Sequence, residues 1–303
     1  MIVVSGENVA DLLPAEAGLL RAALGGGPAN TAVAAAMLGA EVSFAARFGS
    51  DAFGQAFRGR LSAAGVDLSH AADLDAPSAL ALTSIDASGS ADYDFWLTGA
   101  ADFAATALPD VGPRDIRHIG SLGAYWPPGA DVAERWVEKS PGPVTLDVNL
   151  RPIVLEHQPD AVTRLERLVQ RADVVKASDE DLRMAHPDVA PEDTARRWLT
   201  GGSLGAPALV VITLGADGAV GIARDGRRVH VPAPKVEVVD TIGAGDAAMG
   251  ALLARLAATG LDAVCEHLEE ALSFAVAVAA IACTRAGACA PSTDEVEAFL
   301  AAA

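Results

Sequence analysis

The chain is poor in positive charge. Lysine and arginine together number 22, against 40 aspartate and glutamate residues, which gives a formal net charge of −18. A surface this acidic repels the phosphates of nucleic acids and of anionic lipids, so we expect no nucleic-acid partner and no membrane. The same shortage means that a phosphate ligand has to be held by local donors or by a metal.

Cysteine and clustered histidine are also scarce. The three cysteines are widely spaced and form no CxxC pair: Cys265, Cys283 and Cys289. Such a set fits reduced thiols in a cytoplasmic protein better than a disulfide framework. The six histidines are scattered singly, and none has the spacing of a metal site.

Export signals and long apolar runs are missing as well. Residues 1–7 carry no basic segment, so we expect no signal peptide. The longest apolar run, residues 271–283, is interrupted by Ser273 and is too short to span a bilayer, so it predicts a buried helix. A chain of 303 residues that is 51% hydrophobic can form one large α/β domain.

Apolar strands and helices alternate along most of this chain. β-Branched and apolar runs predict strands over residues 2–4, 42–48, 144–148, 173–175 and 209–213, and a hairpin over 219–223 and 228–231. Helical patterns cover residues 28–38, 53–64, 160–170, 245–258, 266–283 and 293–302. The alternation predicts a mostly parallel sheet with helices on both faces, and ligands at the carboxyl ends of its strands.

Residues 78–96 do not follow the alternation of apolar strands and helices. Half-apolar runs on both sides of a turn at residues 86–89 predict an antiparallel hairpin outside the main alternation.

The strongest chemical signal is DTIGAGDAAMG at residues 240–250. Gly243 and Gly245 let a ligand approach the backbone at the start of an apolar helix, where unpaired N–H groups and the helix dipole attract an anion. Asp246, in the first helical turn, is placed to accept a proton from an alcohol at the same spot. A bare GxGD string is common, however, and alone it indicates only a glycine turn with an aspartate that complements the dipole.

A second glycine-rich segment is GGGPANTAVA at residues 25–34. Its three glycines precede Pro28 at the first turn of a helix, which gives a flexible loop of close approach. Asn30, one turn in, offers an amide donor and acceptor suited to hydroxyl groups. The chain contains no GxxxxGK[ST], no HRD or DFG set, and no GxGxxG after its first strand, which excludes P-loop, protein-kinase and NAD-type sites.

Together the two segments resemble the PfkB/ribokinase family of carbohydrate kinases, in the right order over nearly the whole chain. Residues 25–39 with RFGSDAFG at 47–54 look like its N-terminal signature, and residues 240–250 look like its C-terminal signature. The resemblance implies the α/β class: a three-layer α/β/α ribokinase-like core with a mostly parallel sheet, plus a small β-sheet lid. It implies a single kinase domain over residues 1–303, with the lid formed near residues 10–25 and 76–103.

The resemblance also implies roles for single residues. Asp246 would be the catalytic base, and the loop N–H groups of Gly243, Ala244 and Gly245 would form the anion hole. GENVAD at 6–11 is similar to the family's opening GE…D, and DVNLRP at 147–152 looks like its DxNxRP string. These matches imply a set of residues that face the sugar or its phosphate: Asp11, Gly26, Gly27, Asn30, Asn149 and Arg151.

On the nucleotide side, KASDED at 176–181 looks like the KxNxxE region linked to magnesium and phosphate, which implies Lys176 near ATP. The chain departs from the pattern, because Ser178 and Asp181 stand where Asn and Glu are usual. The shorter Asp181 is therefore expected to reach Mg²⁺ through water.

TLGADG at 213–218 resembles the family's nucleotide loop and implies Thr213, Gly215 and Gly218 as contacts of ATP. In many members, the segment that corresponds to residues 282–288 and the backbone carbonyl of Asp240 also hold a monovalent cation. The resemblance thus implies ATP and Mg²⁺, and allows K⁺.

The implied activity is ATP-dependent transfer of a phosphoryl group to a primary hydroxyl of a small sugar. Residues 6–11, 93–96 and 120–122 look closest to bacterial fructokinases, so fructose is the first expectation. 2-Keto-3-deoxygluconate, ribose and nucleosides stay open as substrates, and family habit allows a homodimer through the lid strands. A non-catalytic sugar- or nucleotide-binding protein on the same fold is the alternative from another class; its mark would be loss of the base, and Asp246 is present.

Overall fold

The computed structural model describes residues 1–85 and 91–302. Within them the chain forms fourteen strands: β1 (Ile2–Val4), β2 (Val9–Pro14), β3 (Leu20–Gly25), β4 (Val42–Phe44), β5 (Arg47–Gly49), β6 (Ala72–Leu74), β7 (Ala79–Ile85), β8 (Ala91–Trp96), β9 (Ile116–Gly120), β10 (Val144–Asp147), β11 (Val174–Ser178), β12 (Leu209–Thr213), β13 (Ala219–Ala223) and β14 (Arg228–Val231). The same residues form eleven α-helices: α1 (Gly27–Met37), α2 (Ala52–Ala63), α3 (Gly129–Glu138), α4 (Pro152–His157), α5 (Ala161–Val169), α6 (Asp179–Ala185), α7 (Pro191–Thr200), α8 (Ala244–Thr259), α9 (Leu261–Glu266), α10 (Leu268–Cys283) and α11 (Thr293–Ala302).

The main sheet has eight strands in the order β14-β13-β12-β11-β10-β9-β1-β4. The six strands from β12 to β4 pair in parallel, whereas β13 and β14 pair antiparallel at one edge. Most residues of the parallel strands are buried because helices cover both faces of the sheet, and β11 and β12 are accordingly rich in Val, Leu and Ile.

Two hydrophobic clusters lie on the two faces of this sheet. One contains side chains from α1, α2, α8, α10 and α11, and the other contains side chains from α3, α5, α6 and α7. This arrangement is the three-layer α/β/α core, and the predicted fold class is confirmed. None of the described helices is long and apolar enough to cross a bilayer.

Helices α1 and α8 approach each other closely because both are built from small residues. A Cβ added to Gly250 in α8 would lie 2.5 Å from the Cβ of Ala34 and 3.0 Å from the carbonyl oxygen of Thr31 in α1. Only glycine fits at such a distance. The close approach brings the first turns of the two helices together, and both glycine-rich segments identified in the sequence lie there.

A separate four-stranded sheet has the order β3-β2-β7-β8. Strands β2 and β3 pair antiparallel, β2 and β7 pair in parallel, and β7 and β8 pair antiparallel. The pairing of β7 with β8 is the hairpin predicted over residues 78–96, and its predicted turn at 86–89 lies outside the described residues. Its strands fall almost wholly within the two segments that the sequence predicts as a lid, residues 10–25 and 76–103.

Some boundaries predicted from the sequence were wrong. The run over residues 42–48 is two strands, because β4 pairs with β1 in the main sheet while β5 pairs with β6 in a two-stranded sheet. The helix expected over residues 266–283 is interrupted at His267, whose φ of −102° and ψ of 42° leave the helical region. Helices α3, α4, α6 and α7 were not predicted, and neither was α9 apart from its last residue, Glu266.

Candidate active site

The start of α8 is a glycine turn. Gly243 precedes the helix with a φ of 78°, in the left-handed region that favours glycine. Its neighbourhood also requires glycine, because an added Cβ would lie 2.6 Å from the Cβ of Ala288. The N–H of Ala244 donates to the carbonyl of Thr241 at 3.2 Å within the turn. The first turn of the helix that follows carries the positive end of the helix dipole, so this turn can receive an anion.

Asp246 is buried in that first turn and is tied to α1. Asn30 Nδ2 donates to Asp246 Oδ2 at 2.8 Å, and Thr31 Oγ1 donates to the Asp246 carbonyl at 3.4 Å. Burial raises the pKa of the Asp246 carboxyl, while the hydrogen bond from Asn30 and the charges of Lys176 and Arg151 oppose the rise. A carboxylate in this state is a stronger base than an exposed one.

Asn149 approaches the same carboxylate from β10. The residue follows the carboxyl end of that strand with a φ of 37°, and its Nδ2 donates to Asp246 Oδ1 at 3.5 Å. A Cβ added to Gly27 would lie 2.6 Å from Asn149 Nδ2 and 3.3 Å from Asp246 Oδ1. Because Gly27 has no side chain, the Asn149 amide and the Asp246 carboxylate pack directly against the first residue of α1.

Asp11 lies on β2 of the four-stranded sheet. Burial raises the pKa of its carboxyl to about 6, with Arg151 opposing the rise and Asp246 adding to it. A Cβ added to Gly25 would lie 2.1 Å from Asp11 Oδ2, so the carboxylate packs on that glycine. Gly26 precedes α1 with a φ of 93°, where an added Cβ would lie 2.6 Å from the Glu7 carbonyl oxygen.

Arg151 connects the two carboxylates electrostatically. It precedes α4, which begins at Pro152, and its charge lowers the pKa of both Asp11 and Asp246. One guanidinium therefore acts on an acid of the four-stranded sheet and on an acid of the main core. The structure brings together the sequence-predicted residues Asp11, Gly27, Asn30, Asn149, Arg151 and Asp246.

Lys176 lies buried beneath the glycine turn. Its Nζ donates to Asp147 Oδ1 at 2.8 Å and to Oδ2 at 2.9 Å. A Cβ added to Gly245 would lie 3.4 Å from Lys176 Nζ, so the cation lies next to the start of α8. Burial alone would lower the pKa of Lys176, but Asp147 and the neighbouring acids outweigh burial and raise it. Lys176 is therefore a fixed positive charge next to the anion site.

Asp181 has a local structural role. It forms a capping box with Ser178 at the start of α6, in which Asp181 Oδ2 accepts from the Ser178 N–H at 2.7 Å. Its Oδ1 accepts from the Leu150 N–H at 2.8 Å. Both carboxylate oxygens thus hold backbone N–H groups, and a contact with a metal through water stays a prediction.

The predicted nucleotide residues follow β12. Thr213 ends this strand, and its Oγ1 donates to the Ala177 carbonyl at 3.5 Å. Gly215 has a φ of 56°, and an added Cβ would meet no atom within 4 Å. At Gly218, by contrast, close packing requires glycine, because an added Cβ would lie 2.0 Å from the Val231 carbonyl oxygen.

Asp240 fixes the segment before α8. Its Oδ1 accepts from the Ile242 N–H at 3.0 Å, and its Oδ2 accepts from the Gly287 N–H at 2.8 Å. The carboxylate therefore holds the glycine turn to the segment that contains residues 284–288.

Sequence reasoning missed three charged residues around the site. Asp147 was identified only as part of a string, and its ion pair with Lys176 joins adjacent strands. Glu7 is buried and accepts from the Gly123 N–H at 2.7 Å. Arg60, which lies on α2, donates to the backbone carbonyls of Leu24 and Ala288. None of these pairings has a signal in the local sequence, because the partners are distant along the chain.

Known proteins resemble this chain closely. The profile of the pfkB family carbohydrate kinases matches residues 6–295. A fructokinase of Rhizobium leguminosarum bv. trifolii is 34% identical over 265 residues, which cover 84% of this chain and 79% of that protein. Among solved structures, the fructokinase of Xylella fastidiosa with bound ATP superposes with a TM-score of 0.90 at 28% identity, over 99% of this chain and 98% of that one.

A second solved structure is that of the fructokinase of Vibrio cholerae O395 in its fructose-, ADP- and calcium-bound form. It superposes with a TM-score of 0.84 at 29% identity, over 99% of this chain and 98% of that one.

Proposed function

Because the chain belongs to the pfkB family of carbohydrate kinases, we propose that it transfers the γ-phosphoryl group of ATP to a primary hydroxyl of fructose. The similar proteins named above are fructokinases, and one of them is bound to fructose. The three cysteines are free thiols, which supports a cytoplasmic setting.

The buried carboxylate of Asp246 is the observation that carries this proposal. It lies at the start of α8, in the turn that can receive an anion, and next to the Asn149 amide and Gly27. In the proposed step, the sugar oxygen attacks the γ-phosphorus, its proton passes to Asp246, and the bond from the γ-phosphorus to the ADP oxygen breaks. The raised pKa of Asp246 brings the base closer to neutral pH, where general bases are most effective.

The neighbouring residues support specific roles in that step. The N–H groups of Gly243 and Gly245, with Lys176 beneath them, would stabilise the charge on the transferring phosphoryl group. The N–H of Ala244, the third predicted donor, would be shared between the phosphoryl group and the Thr241 carbonyl. Asp11, Gly26, Gly27, Asn30, Asn149 and Arg151 would hold the sugar. A carboxylate and two amides can accept and donate several hydroxyl hydrogen bonds.

The four-stranded sheet fits the role of a lid. It carries Asp11 at the site, and its strands leave the core at residues 8–9, 24–25 and 78–79. We propose that it closes over the sugar and excludes water, so that ATP is not hydrolysed.

We further propose that Mg²⁺ accompanies ATP, with Thr213, Gly215 and Gly218 on the nucleotide side. A chain with a net charge of −18 has few cations to neutralise a triphosphate, and a bound Mg²⁺ supplies that neutralisation. Asp181 fits a contact through water, because both of its oxygens already hold N–H groups. The carbonyl of Asp240 is the proposed ligand of K⁺.

An ATP-consumption assay over fructose, ribose, 2-keto-3-deoxygluconate and adenosine tests the substrate. Fructose should give the highest kcat/KM, and excess EDTA should abolish the activity. Preference for another sugar would contradict fructose and keep the kinase activity, whereas no consumption with any acceptor would contradict both.

The variant Asp246→Asn tests the base. It should bind ATP and fructose nearly as the wild type does, while kcat falls by roughly 10²–10⁴, the usual contribution of a general base. Asp262→Asn makes the same chemical change at an exposed position of α9 and should leave kcat unchanged. Near-normal turnover in Asp246→Asn would contradict the role.

A further inference from the structure

Arg60 joins two segments that lie far apart in the chain. It is partly buried on α2, and its guanidinium donates hydrogen bonds to two backbone carbonyls. Nη1 donates to the Leu24 carbonyl at 2.8 Å, and Nη2 donates to the Ala288 carbonyl at 3.0 Å. These bonds connect the end of β3 in the four-stranded sheet with the segment that follows α10.

The first carbonyl is adjacent to the proposed sugar site. Leu24 pairs with Ala10 across the β2–β3 ladder, and its carbonyl belongs to the peptide that leads into Gly25. Gly25 packs on the carboxylate of Asp11, since an added Cβ there would lie 2.1 Å from Oδ2. A shift of the Leu24 peptide would therefore move the surface on which Asp11 rests.

The second carbonyl is adjacent to the anion turn. Ala288 packs on Gly243, and the N–H of Gly287 donates to Asp240 Oδ2 at 2.8 Å. The segment held by Arg60 is thus the one that supports the turn in front of Asp246. The positive charge of Arg60 is also near enough to Asp246 to lower the pKa of that carboxyl.

We propose that Arg60 is a positioning residue that couples the sugar side of the site to its phosphoryl side. Ligand contacts that order the peptide at Leu24 also order the segment at Ala288, because one planar guanidinium holds both carbonyls. By linkage, the nucleotide then tightens sugar binding by the same factor as the sugar tightens nucleotide binding. This inference rests on the proposed sugar-kinase function.

The test compares Arg60→Lys with the wild type. Lysine keeps the positive charge, but its single ammonium lacks the planar fork that holds both carbonyls. Calorimetry gives the Kd of fructose with and without a saturating non-hydrolysable ATP analogue. We expect the analogue to tighten fructose binding about fivefold or more in the wild type, a usual size for coupled sites, and less than about twofold in Arg60→Lys.

Arg58→Lys is the matched control on the same helix. Arg58 Nε pairs with Asp73 at 2.7 Å, and its guanidinium lies over the Phe48 ring, away from both carbonyls. The control should keep the wild-type ratio. Arg60→Met removes the charge as well, which raises the pKa of Asp246. The acid limb of its kcat/KM profile should move to higher pH, and that of Arg60→Lys should not move.

Hydrogen exchange gives a readout that does not depend on the sugar. The ATP analogue alone should slow exchange of amides in residues 9–25 of the wild type and of Arg58→Lys, and should not do so in Arg60→Lys. Equal coupling and equal protection in Arg60→Lys would overturn the proposal, and so would a wild-type ratio near one. Turnover of the wild type with fructose tests the proposed function separately.

Discussion

At the scale of single residues, the site depends on a side chain that is absent. Gly27 is the first residue of α1, and an added Cβ there would lie 2.6 Å from Asn149 Nδ2 and 3.3 Å from Asp246 Oδ1. Its φ lies outside the left-handed region, so the backbone itself would accept another residue. Glycine at this position therefore makes room for the Asn149 amide beside Asp246 and does not relieve strain.

Gly27→Ala should reduce activity without unfolding the protein. The new methyl group would lie 2.6 Å from Asn149 Nδ2, so the amide has to move away from Asp246. We expect kcat/KM for the sugar to fall by roughly 10–100-fold, since displacements of about 1 Å near reacting groups cost that much. Steady-state kinetics measure the loss, and circular dichroism checks that the thermal midpoint stays near the wild-type value.

Gly59→Ala is the control for that prediction. Gly59 lies inside α2, where an added Cβ would meet no atom within 4 Å. Alanine should leave kcat/KM unchanged and stabilise the helix by about 0.5–1 kcal/mol. Full activity of Gly27→Ala would contradict the view that the position of the Asn149 amide beside Asp246 matters for catalysis.

The sequence predicted those site residues that lie in short recognisable motifs. Asp246 and Asn30 each lie in the first turn of a helix that follows a glycine-rich segment. In the structure Asn30 Nδ2 lies 2.8 Å from Asp246 Oδ2. Asp181 was predicted from a string, and the structure adds that its carboxylate caps α6. The contacts of Arg60 and Asp147 could not be predicted, because they join residues that only the folded sheet and helices bring together.

At the scale of elements, the four-stranded sheet is attached to the core through carboxylates. Asp51 caps α2 by accepting from the Gly54 N–H at 2.9 Å, and it also accepts from the Ser78 N–H at 2.7 Å. Ser78 immediately precedes β7. Asp102 accepts from the N–H groups of Asn8 and Ala79, at the starts of β2 and β7, both at 2.9 Å. The strands of the proposed lid therefore begin at fixed points.

Substitutions of Asp51 should separate its two roles. These hydrogen bonds lower the pKa of its carboxyl despite some burial, so the ionised form is the one that stabilises the fold. Asp51→Ala loses the cap and the contact with Ser78, and should lower the free energy of unfolding by about 1–2 kcal/mol, the usual range for a lost cap. Asp51→Asn keeps a good cap and should cost less in a urea titration at pH 7.

The contact with Ser78 should also affect sugar binding. In Asp51→Asn the amide group faces the Ser78 N–H, so the start of β7 loses an acceptor and the KM for the sugar should rise. Asp188→Asn, at an exposed position outside the four-stranded sheet, is the control and should change neither quantity. An unchanged KM in both Asp51 variants would show that this strand does not need its anchor.

Element boundaries were predictable where local pattern and tertiary pairing agree. The strands Leu209–Thr213, Ala219–Ala223 and Arg228–Val231 match their predicted limits, because β-branched runs there also pair with their sequence neighbours. The run over residues 42–48 failed because its two halves pair with different sheets. The pattern of apolar residues predicts which residues are buried, but it does not predict which strand pairs with which.

At the scale of the whole molecule, buried carboxylates link stability to pH. Burial raises the pKa of Glu7 to about 7, and of Asp11, Asp102 and Asp147 to about 6. For each of these groups the pKa in the folded state is higher than the pKa in the unfolded state. At pH values between these two pKa values, the folded state therefore binds more protons than the unfolded state does. The stability that protonation contributes is present below the unfolded pKa and is lost as the pH rises through the folded pKa. His118 acts oppositely, since burial lowers its pKa to about 3.

These four carboxyls, together with Asp246, whose pKa burial also raises, outweigh one histidine, so the protein should be more stable at pH 5.5 than at pH 7.5. Each unit of pKa difference corresponds to about 1.4 kcal/mol at full effect. Urea titrations at constant ionic strength measure the trend. Reduced self-repulsion of a chain with a net charge of −18 acts in the same direction, so a variant is needed to isolate the buried groups.

Glu7→Gln provides that variant. Its amide oxygen can keep the contact with the Gly123 N–H, and its neutral side chain no longer titrates. Between pH 6 and pH 7.5 the stability of Glu7→Gln should fall less steeply than that of the wild type, because the group with a pKa of about 7 is gone. Surface repulsion would be nearly the same in both proteins. Equal slopes would show that Glu7 does not contribute to the pH dependence, and a wild-type stability that rises with pH would contradict the proposed effect of the buried carboxyls.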